Sequence, residues 1–232
     1  MDKFIGKWAF PVDDSLLEQS ARRGERYKFE KIAADIIDKV QFEKDNIVLD
    51  LCCGNAALTK FIARTCGEIH GVDFSEALID SARKLEVKEN IFNLRLHLSD
   101  AMDIDKFFPQ DFFDKSYCYF SFQYFNKRKR EAILEKLSRV TKNKGWIFIG
   151  DIPDKTRIWN FYETKKKFYR EKISRLLRFK EGECDLGWWI DPKEMVDWCE
   201  KIGLNASIMP QENLPHTHYR VDVLIRNSKA SL

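Results

Sequence analysis

The 232-residue sequence has no run of 18 apolar residues, so it predicts no transmembrane helix. Its opening segment, MDKFIGKWAFPVDD, lacks the apolar stretch of a secretory signal peptide, which favours a cytoplasmic protein. The chain contains only 10 glycines and 6 prolines, too few for a fibrous or low-complexity protein. These absences predict a globular cytoplasmic protein that does not cross a membrane.

Cysteine is also sparse, with six residues and no C-x-x-C pair. This usage disfavours both a disulfide framework and a structural zinc site. His216 and His218 form an H-x-H pair, but no other histidine or cysteine follows at ligand spacing. We therefore expect no metal site.

The charge is nearly balanced, with 40 basic and 37 acidic residues, but its distribution is uneven. Residues 155–180 contain ten Lys and Arg against two Glu, together with several aromatic residues. Three interpretations stay open for this segment: a lid that attracts an anionic small substrate, a solvated helix with aromatic residues in the core, or a nucleic-acid surface. The balanced overall charge and the absence of an RNA-binding module disfavour the last.

Hydrophobic periodicity predicts strands that alternate with helices. An apolar helical face appears in YKFEKIAADIIDKV, and strand patterns appear in NIVLDLCC, EIHGVDF, IFNLRLHLSD, DKSYCYFSF and GWIFIGDI, the last starting at Gly145. Between them, the patterns of AALTKFIART, SEALIDSARKL and KREAILEKLSRV predict helices, the second with Ser75 as its N-cap. Such alternation is typical of a parallel sheet with helices on both faces.

The pattern changes after Ile152. A long basic helix is expected from about 155 to 180, followed by a helix that begins at Asp191 and Pro192 and ends at Gly203. Two final strands, NASIMP and YRVDVLIRN, are expected to pair antiparallel. The predicted architecture is therefore a single α/β domain, 1–232, whose seven-stranded, mostly parallel sheet has an antiparallel last strand. It includes an N-terminal helical segment, 1–40, and a helical cap after strand five, 154–190.

The motif with the clearest chemistry is VLDLCCGNAALTKFIA, a strand, a tight turn and a helix start. Asp50 precedes the turn, and Asp73 ends the next strand. A carboxylate at that second position can accept hydrogen bonds from ribose hydroxyls, and Gly54 lets a ligand approach the backbone. No Lys-Ser/Thr pair follows, which excludes a P-loop.

The segments VLDLCCGN, GVDFS and LSDAMD resemble, in order and spacing, the cofactor motifs of class I S-adenosylmethionine-dependent methyltransferases. The resemblance covers residues from about 28 to 152. It implies S-adenosylmethionine as cofactor and methyl transfer as the activity. The sequence departs from the family at Cys52 and Ala56, where members usually carry glycine.

The resemblance also implies roles for the residues of the first loop. Gly54 and the backbone around Cys52 and Asn55 would line the methionine part of the cofactor. Asp50 would orient that loop or reach the amino group of the methionine.

Roles at the nucleoside end follow in the same way. Asp73 would hold the ribose hydroxyls, and Phe74 would pack on the adenine. Asp100 would accept from the adenine amino group, with Ala101 and Met102 against the ring. The alternative for Asp73 and Asp100 is a helix N-cap, and Met102 could equally be a core residue.

Phe120 and Ser121, at the end of strand four, would pass near the methionine moiety. Gln123 and Tyr124 follow, at positions where family members contact their acceptors. Asp151, after strand five, is either a further candidate or a helix-start cap. An Asn-Pro-Pro-Tyr type motif is absent here, which disfavours adenine or glutamine as the acceptor.

The loop before an antiparallel last strand lies at the carboxyl end of the parallel strands, where ligands of open α/β sheets bind. His216 and His218 are therefore candidate general bases, alongside Tyr124, although both could be loop histidines without chemistry. His70 and His97 are expected to be structural. Arg22, Arg23 and Arg26 either close over the cofactor carboxylate or belong to a solvated helix start.

Together these features predict methyl transfer to the oxygen or nitrogen of a small molecule, possibly an anionic one. The alternatives are an RNA or protein methyltransferase and a protein that binds the cofactor without transferring its methyl group.

Overall fold

The computed structural model describes residues 29–162, 164–167, 169, 187–212, 214 and 216–228. The strands are β1 (Ile47–Leu51), β2 (Glu68–Asp73), β3 (Leu94–Leu98), β4 (Phe113–Tyr119), β5 (Thr141–Pro153), β6 (Asn205–Pro210) and β7 (Arg220–Arg226). The helices whose bounds lie in these ranges are α1 (Phe29–Val40), α2 (Thr59–Ile62), α3 (Glu76–Glu89), α4 (Ile104–Phe107), α5 (Lys127–Val140), α6 (Ile158–Tyr162) and α7 (Pro192–Lys201). Arg22, Arg23, Arg26 and most of 163–186 lie outside the described residues.

The seven strands form one sheet in the order β3-β2-β1-β4-β5-β7-β6. Strands β1 to β5 pair in parallel, whereas β7 runs antiparallel to both of its neighbours, β5 and β6. The predicted fold class is thus confirmed, including the antiparallel last strand. Because β7 is reversed, its first residue lies at the carboxyl end of the parallel strands.

Helices cover both faces of the sheet, since apolar residues on each face must be shielded from water. One buried cluster joins the sheet to α4, α5 and α7 through residues such as Ile104, Leu137 and Cys199. The other joins it to α1 and α2 through Ile36 and Ile62. Each of these five side chains is fully buried.

Local capping signals define two of the helix starts. The Ser75 hydroxyl accepts from the Leu78 N–H at 3.4 Å, and the Asp191 carboxylate accepts from the Lys193 N–H at 3.0 Å. Pro192 occupies the first turn of α7, and Gly203 follows the helix with a φ of 81°. These predictions are confirmed because a cap depends only on residues within one turn.

Two predicted element boundaries are wrong. Strand β5 starts at Thr141, not at Gly145, because α5 leads directly into the strand and Thr141 bonds the Ser116 hydroxyl at 2.7 Å. Gly145 instead permits close packing inside the strand, since a Cβ there would lie 2.6 Å from the Asp114 carbonyl oxygen. The helix expected from 155 starts only at Ile158, after a 3-10 turn over Lys155–Arg157.

The helix after β1 is also shorter than expected. The chain forms turns until α2 begins at Thr59, and α2 passes into a 3-10 turn at Ala63–Thr65. No helix in the described ranges has the length and apolar character needed to cross a bilayer.

Candidate functional site

Every second residue of the loop after β1 adopts the left-handed backbone conformation. Cys52, Gly54 and Ala56 have φ values of 64°, 57° and 61°. An L residue with a side chain is destabilised there by about 1–2 kcal/mol, and such strain concentrates at functional sites. The positions where family members usually carry glycine are therefore positions that favour glycine sterically.

Asp50, the residue before the end of β1, links the segment after this loop to β4. Its carboxylate accepts hydrogen bonds from the Thr59 and Tyr117 hydroxyls, each at 2.6 Å. Burial raises the pKa of Asp50 to about 7, although both hydroxyl donors act in the opposite direction. Asp50 is only 3% exposed. The geometry supports its expected role in orienting the loop.

Asp73 connects the same loop to the start of α3. One carboxylate oxygen accepts from the Gly54 N–H and the other from the Ser75 N–H, both at 2.9 Å. Burial raises the pKa of Asp73. The Phe74 N–H also bonds this carboxylate, so of its roughly four acceptor positions one remains for a further donor.

The next strand end carries the remaining nucleoside-side candidates. Asp100 caps the 3-10 turn Ala101–Asp103 by accepting from the Met102 N–H at 2.8 Å. Met102 packs against the apolar cluster under α4 and α5, while Phe74 is 37% exposed. Both interpretations of Asp100 and Met102 are thus compatible with their positions.

The end of β4 lies on the other side of β1. Phe120 has a φ of 66°, and both Phe120 and Ser121 are half-buried. Gln123 is buried in the 3-10 turn Phe122–Tyr124, where its side-chain amide donates to the Phe120 carbonyl oxygen at 2.6 Å.

The acceptor-side candidates lie at the ends of β5 and β7. His216, half-buried and with a φ of 72°, and the exposed His218 both pack against Tyr219, at ring-centroid distances of 5.4 and 4.9 Å. Tyr124 belongs to a different segment, the turn after β4. Asp151 lies inside β5 and does not cap a helix, so that alternative is wrong. Its carboxylate forms a buried ion pair with Arg220.

Two further features are the histidine pair of β2 and β3 and the Cys52 thiol. His70 Nδ1 and His97 Nε2 are 2.9 Å apart, and Glu68 is 2.7 Å from the other nitrogen of His70, which supports their expected structural role. A hydrogen bond to Cys118 and burial raise the pKa of the Cys52 thiol well above its ordinary value. No group of three or more possible metal ligands occurs in the part of the chain that is described.

The residues of the first loop and of β2 fit an adenosyl cofactor. A Cβ placed on Gly54 would meet nothing within 4 Å, so the space beside this residue is open. Asp73 keeps acceptor capacity, and the neighbouring Phe74 ring retains exposed surface for packing. These features lie at the carboxyl ends of β1 and β2, where open α/β sheets bind nucleotides.

A model of the methyltransferase domain family matches residues 48–145, which include β1 to the start of β5. This part of the chain is therefore similar to a methyltransferase domain. S-adenosylmethionine is the cofactor of this family, and the match spans the loop and strand ends described above.

Sequence relatives of this chain include the demethylmenaquinone methyltransferase of Geobacillus stearothermophilus, 29% identical over 114 residues. That alignment covers 48% of this chain and 47% of the relative, so the chain spans about half the length of the curated relatives it matches.

Solved structures extend the likeness over the whole fold. A Haloferax volcanii protein described as a putative methyltransferase, in complex with the Trm112 methyltransferase activator, superposes with a TM-score of 0.70 at 16% identity. The superposition covers 100% of this chain and 98% of the Haloferax volcanii protein. Magnesium protoporphyrin IX methyltransferase from Synechocystis PCC 6803, with bound SAH, gives 0.63 at 12% identity, covering 96% and 92%.

The sequence interpretation missed a buried polar network in this chain. Asp222 is fully buried, and it bonds Lys39 of α1 and the side-chain amide of Gln211, both at 2.8 Å. Burial raises the pKa of Asp222 to about 6. The available signal was the position of Arg220 and Asp222 among the apolar residues of β7, because unpaired charges are rarely buried.

Proposed function

We propose that this chain transfers the methyl group of S-adenosylmethionine to the oxygen or nitrogen of a small molecule. The observation that carries the proposal is the contact between Asp73 and Gly54, which joins the two cofactor motifs at 2.9 Å. When bound, S-adenosylmethionine supplies a methyl group already activated by its positive sulfur.

The residues of the chain would divide the binding task. Asp73 would accept from the ribose hydroxyls, Phe74 would pack on the adenine, and Asp100, Ala101 and Met102 would contact its edge. Cys52, Gly54, Asn55, Phe120 and Ser121 would line the methionine part, while Asp50 would orient the loop from beneath. Holding both reactants in line supplies much of the rate enhancement.

His216 and His218 would act on the acceptor side. A neutral imidazole can take the proton that the acceptor oxygen or nitrogen loses, since its ordinary pKa lies near neutrality. Tyr124 would hold the acceptor from the β4 side. The cationic residues of 155–180 leave an anionic acceptor as one candidate class, although most of 163–186 lies outside the described residues.

Small-molecule acceptors receive support from the named relatives, which act on demethylmenaquinone and on magnesium protoporphyrin IX. The alternative acceptors are RNA and protein. A tritium-labelled methyl group on S-adenosylmethionine distinguishes them when the enzyme is incubated separately with a small-molecule panel, bulk RNA and denatured protein. Label in the small-molecule fraction alone supports the proposal, and label in RNA or protein contradicts it.

The cofactor half is tested by calorimetry with S-adenosylmethionine and with its demethylated product. Asp73→Asn should weaken binding by about tenfold, because a charge-assisted hydrogen bond contributes roughly 1.5–3 kcal/mol. Asp80→Asn is the matched control, since Asp80 lies on exposed α3 surface and pairs with Arg83. Absence of binding by folded native protein would remove the proposed activity.

A further inference from the structure

Six rings form an aromatic cluster beside the ends of β5 and β7: Phe161, Tyr162, Trp189, His216, His218 and Tyr219. Tyr219 is central, with ring centroids 5.0 Å from Phe161, 5.9 Å from Trp189 and 4.9 Å from His218. Phe161 and Trp189 are 5.7 Å apart. The rings come from three separate segments, so only the tertiary fold assembles them.

The described residues cover the aromatic cluster only in part. Tyr162 and Tyr219 are buried, whereas Phe161, Trp189 and His216 are half-buried. Ring surface therefore remains accessible at the carboxyl end of the sheet, and a flat conjugated molecule can pack on it by offset or edge-to-face contact.

Backbone hydrogen bonds fix this cluster next to the end of β4. The Trp188 N–H donates to the Gln123 carbonyl oxygen at 2.7 Å, and the Ile190 N–H donates to the Pro153 carbonyl oxygen at 2.9 Å. A Cβ on Gly187 would lie 2.5 Å from the Gln123 oxygen, so the two segments touch closely. The aromatic cluster thus adjoins the strand end at which the methionine part of the cofactor is expected.

Three buried polar atoms at this place have no hydrogen-bond partner in the described part of the chain: Trp189 Nε1, Arg220 Nε and Gln123 Oε1. An unsatisfied buried group is destabilising by about 1–3 kcal/mol, so each is a candidate ligand contact. Two of the three are donors, which suits an oxygen that accepts hydrogen bonds.

The charge of Arg220 is already compensated. Its guanidinium forms the buried ion pair with Asp151 and lies 5.3 Å from the Tyr219 ring centroid. A carboxylate brought to Arg220 would therefore meet an acid-base pair of no net charge. This favours a neutral hydroxyl or carbonyl oxygen over an anion at the ring.

We infer that the methyl acceptor is a planar conjugated ring carrying a neutral oxygen, held on the aromatic cluster and hydrogen-bonded by Trp189. The inference rests on the proposed function and refines its substrate class, since the anionic acceptor considered above would not fit this surface.

The test uses the full chain saturated with the demethylated cofactor, whose binding is measured first by calorimetry. Binding of 2-naphthol is then measured, with decahydro-2-naphthol as a non-aromatic control ligand and 2-naphthoate as an anionic one. The key variant is Trp189→Phe, which keeps a ring and removes only the donor. Trp198→Phe is its matched control, because Trp198 Nε1 also has no partner in the described residues but lies on α7 beside Lys201.

The expected result is that 2-naphthol binds at least tenfold more tightly than either control ligand. Trp189→Phe should weaken it about fivefold to tenfold, and Trp198→Phe should leave it unchanged. Equal binding of the saturated ligand, tighter binding of the naphthoate, or equal effects of the two tryptophan variants would overturn the inference. Loss of 2-naphthol binding with intact cofactor binding defeats only this inference, whereas absence of cofactor binding defeats the proposed function itself.

Discussion

The Asp73 carboxylate accepts a hydrogen bond from the Gly54 N–H, with 2.9 Å between oxygen and nitrogen. This bond spans the ends of two neighbouring strands and holds the glycine in the left-handed region, at a φ of 57°. The carboxylate therefore shapes the loop as well as offering acceptor capacity to a ligand. A change at either residue should affect both the loop and cofactor binding.

Gly54→Ala should separate loop strain from ligand fit. A Cβ in left-handed backbone lowers the free energy of unfolding by about 1 kcal/mol, although no atom lies within 4 Å of it. The same Cβ would occupy the space proposed for the cofactor, so affinity should fall at least tenfold. Gly203→Ala is the matched control, with a φ of 81° and equally open space. Urea denaturation should show that the two variants are equally destabilised, and calorimetry should show that only Gly54→Ala binds S-adenosylmethionine more weakly. Equal affinities of the two variants would contradict the cofactor placement.

Position 52 should tolerate glycine far better than a β-branched residue. Cys52→Gly relieves left-handed strain but loses the packing of a half-buried thiol, so its free energy of unfolding should stay within about 1 kcal/mol of the native value. Cys52→Val adds a branched side chain at a φ of 64° and should be destabilised by roughly 2 kcal/mol or more. Chemical denaturation of the two variants checks this, and a valine variant as stable as the glycine variant would be evidence against strain in this loop.

Asp50 should make stability depend on pH in a defined direction. Its folded pKa is about 7 against an ordinary value of 3.8, so the folded protein holds this proton more tightly than the unfolded chain does. Its contribution to stability is complete below pH 3.8 and is lost as the pH rises through about 7. Asp50→Asn removes this titration while keeping an oxygen for Thr59 and Tyr117.

The corresponding measurement is urea denaturation of the native protein and of Asp50→Asn at pH 5 and pH 8. The decrease in unfolding free energy between these two conditions should be smaller in the variant, by on the order of 2 kcal/mol. Parallel pH profiles for the two proteins would show that Asp50 is ionised in both the folded and the unfolded state.

Removing one member of the buried pair of Asp151 and Arg220 should lower the free energy of unfolding more than replacing both members. Arg220→Met removes the cationic partner of a buried carboxylate and should lower the unfolding free energy by about 3–5 kcal/mol. Adding Asp151→Asn removes that charge, and asparagine tolerates the left-handed backbone at position 151. The double variant should therefore be more stable than Arg220→Met alone. If the double variant is no more stable than the single one, the decrease in unfolding free energy comes from lost packing and not from the buried charge.

The pair of His70 and His97 should resist protonation. Burial lowers the pKa of both imidazoles below the ordinary 6.5. Their neutral forms thus contribute stability above pH 6.5, and that contribution is lost as the pH falls, because the unfolded chain takes up protons first. Nuclear magnetic resonance titration should give midpoints below 6.5 for both rings. A midpoint above that value for either ring would refute the expectation.

The sequence alone determined the features that depend on neighbouring residues. The strand and helix order, the caps at Ser75 and Asp191, and the cofactor motifs around Gly54 and Asp73 were all predictable, because periodicity and capping act within a few residues. The antiparallel pairing of the last two strands was also predictable from the loop between them, whereas the reversal of the last strand within the sheet was implied by the family resemblance.

Only the tertiary structure decided which distant residues meet. Asp151 and Arg220 are 69 positions apart, and Asp222 reaches Lys39 across 183 positions. No local pattern encodes such pairings, since they depend on the order in which strands enter the sheet. The same reason explains why the aromatic cluster was not predicted. It also explains why the late start of the helix expected from 155, next to the isolated pairing of Asp154 with Ile190, became visible only in the fold.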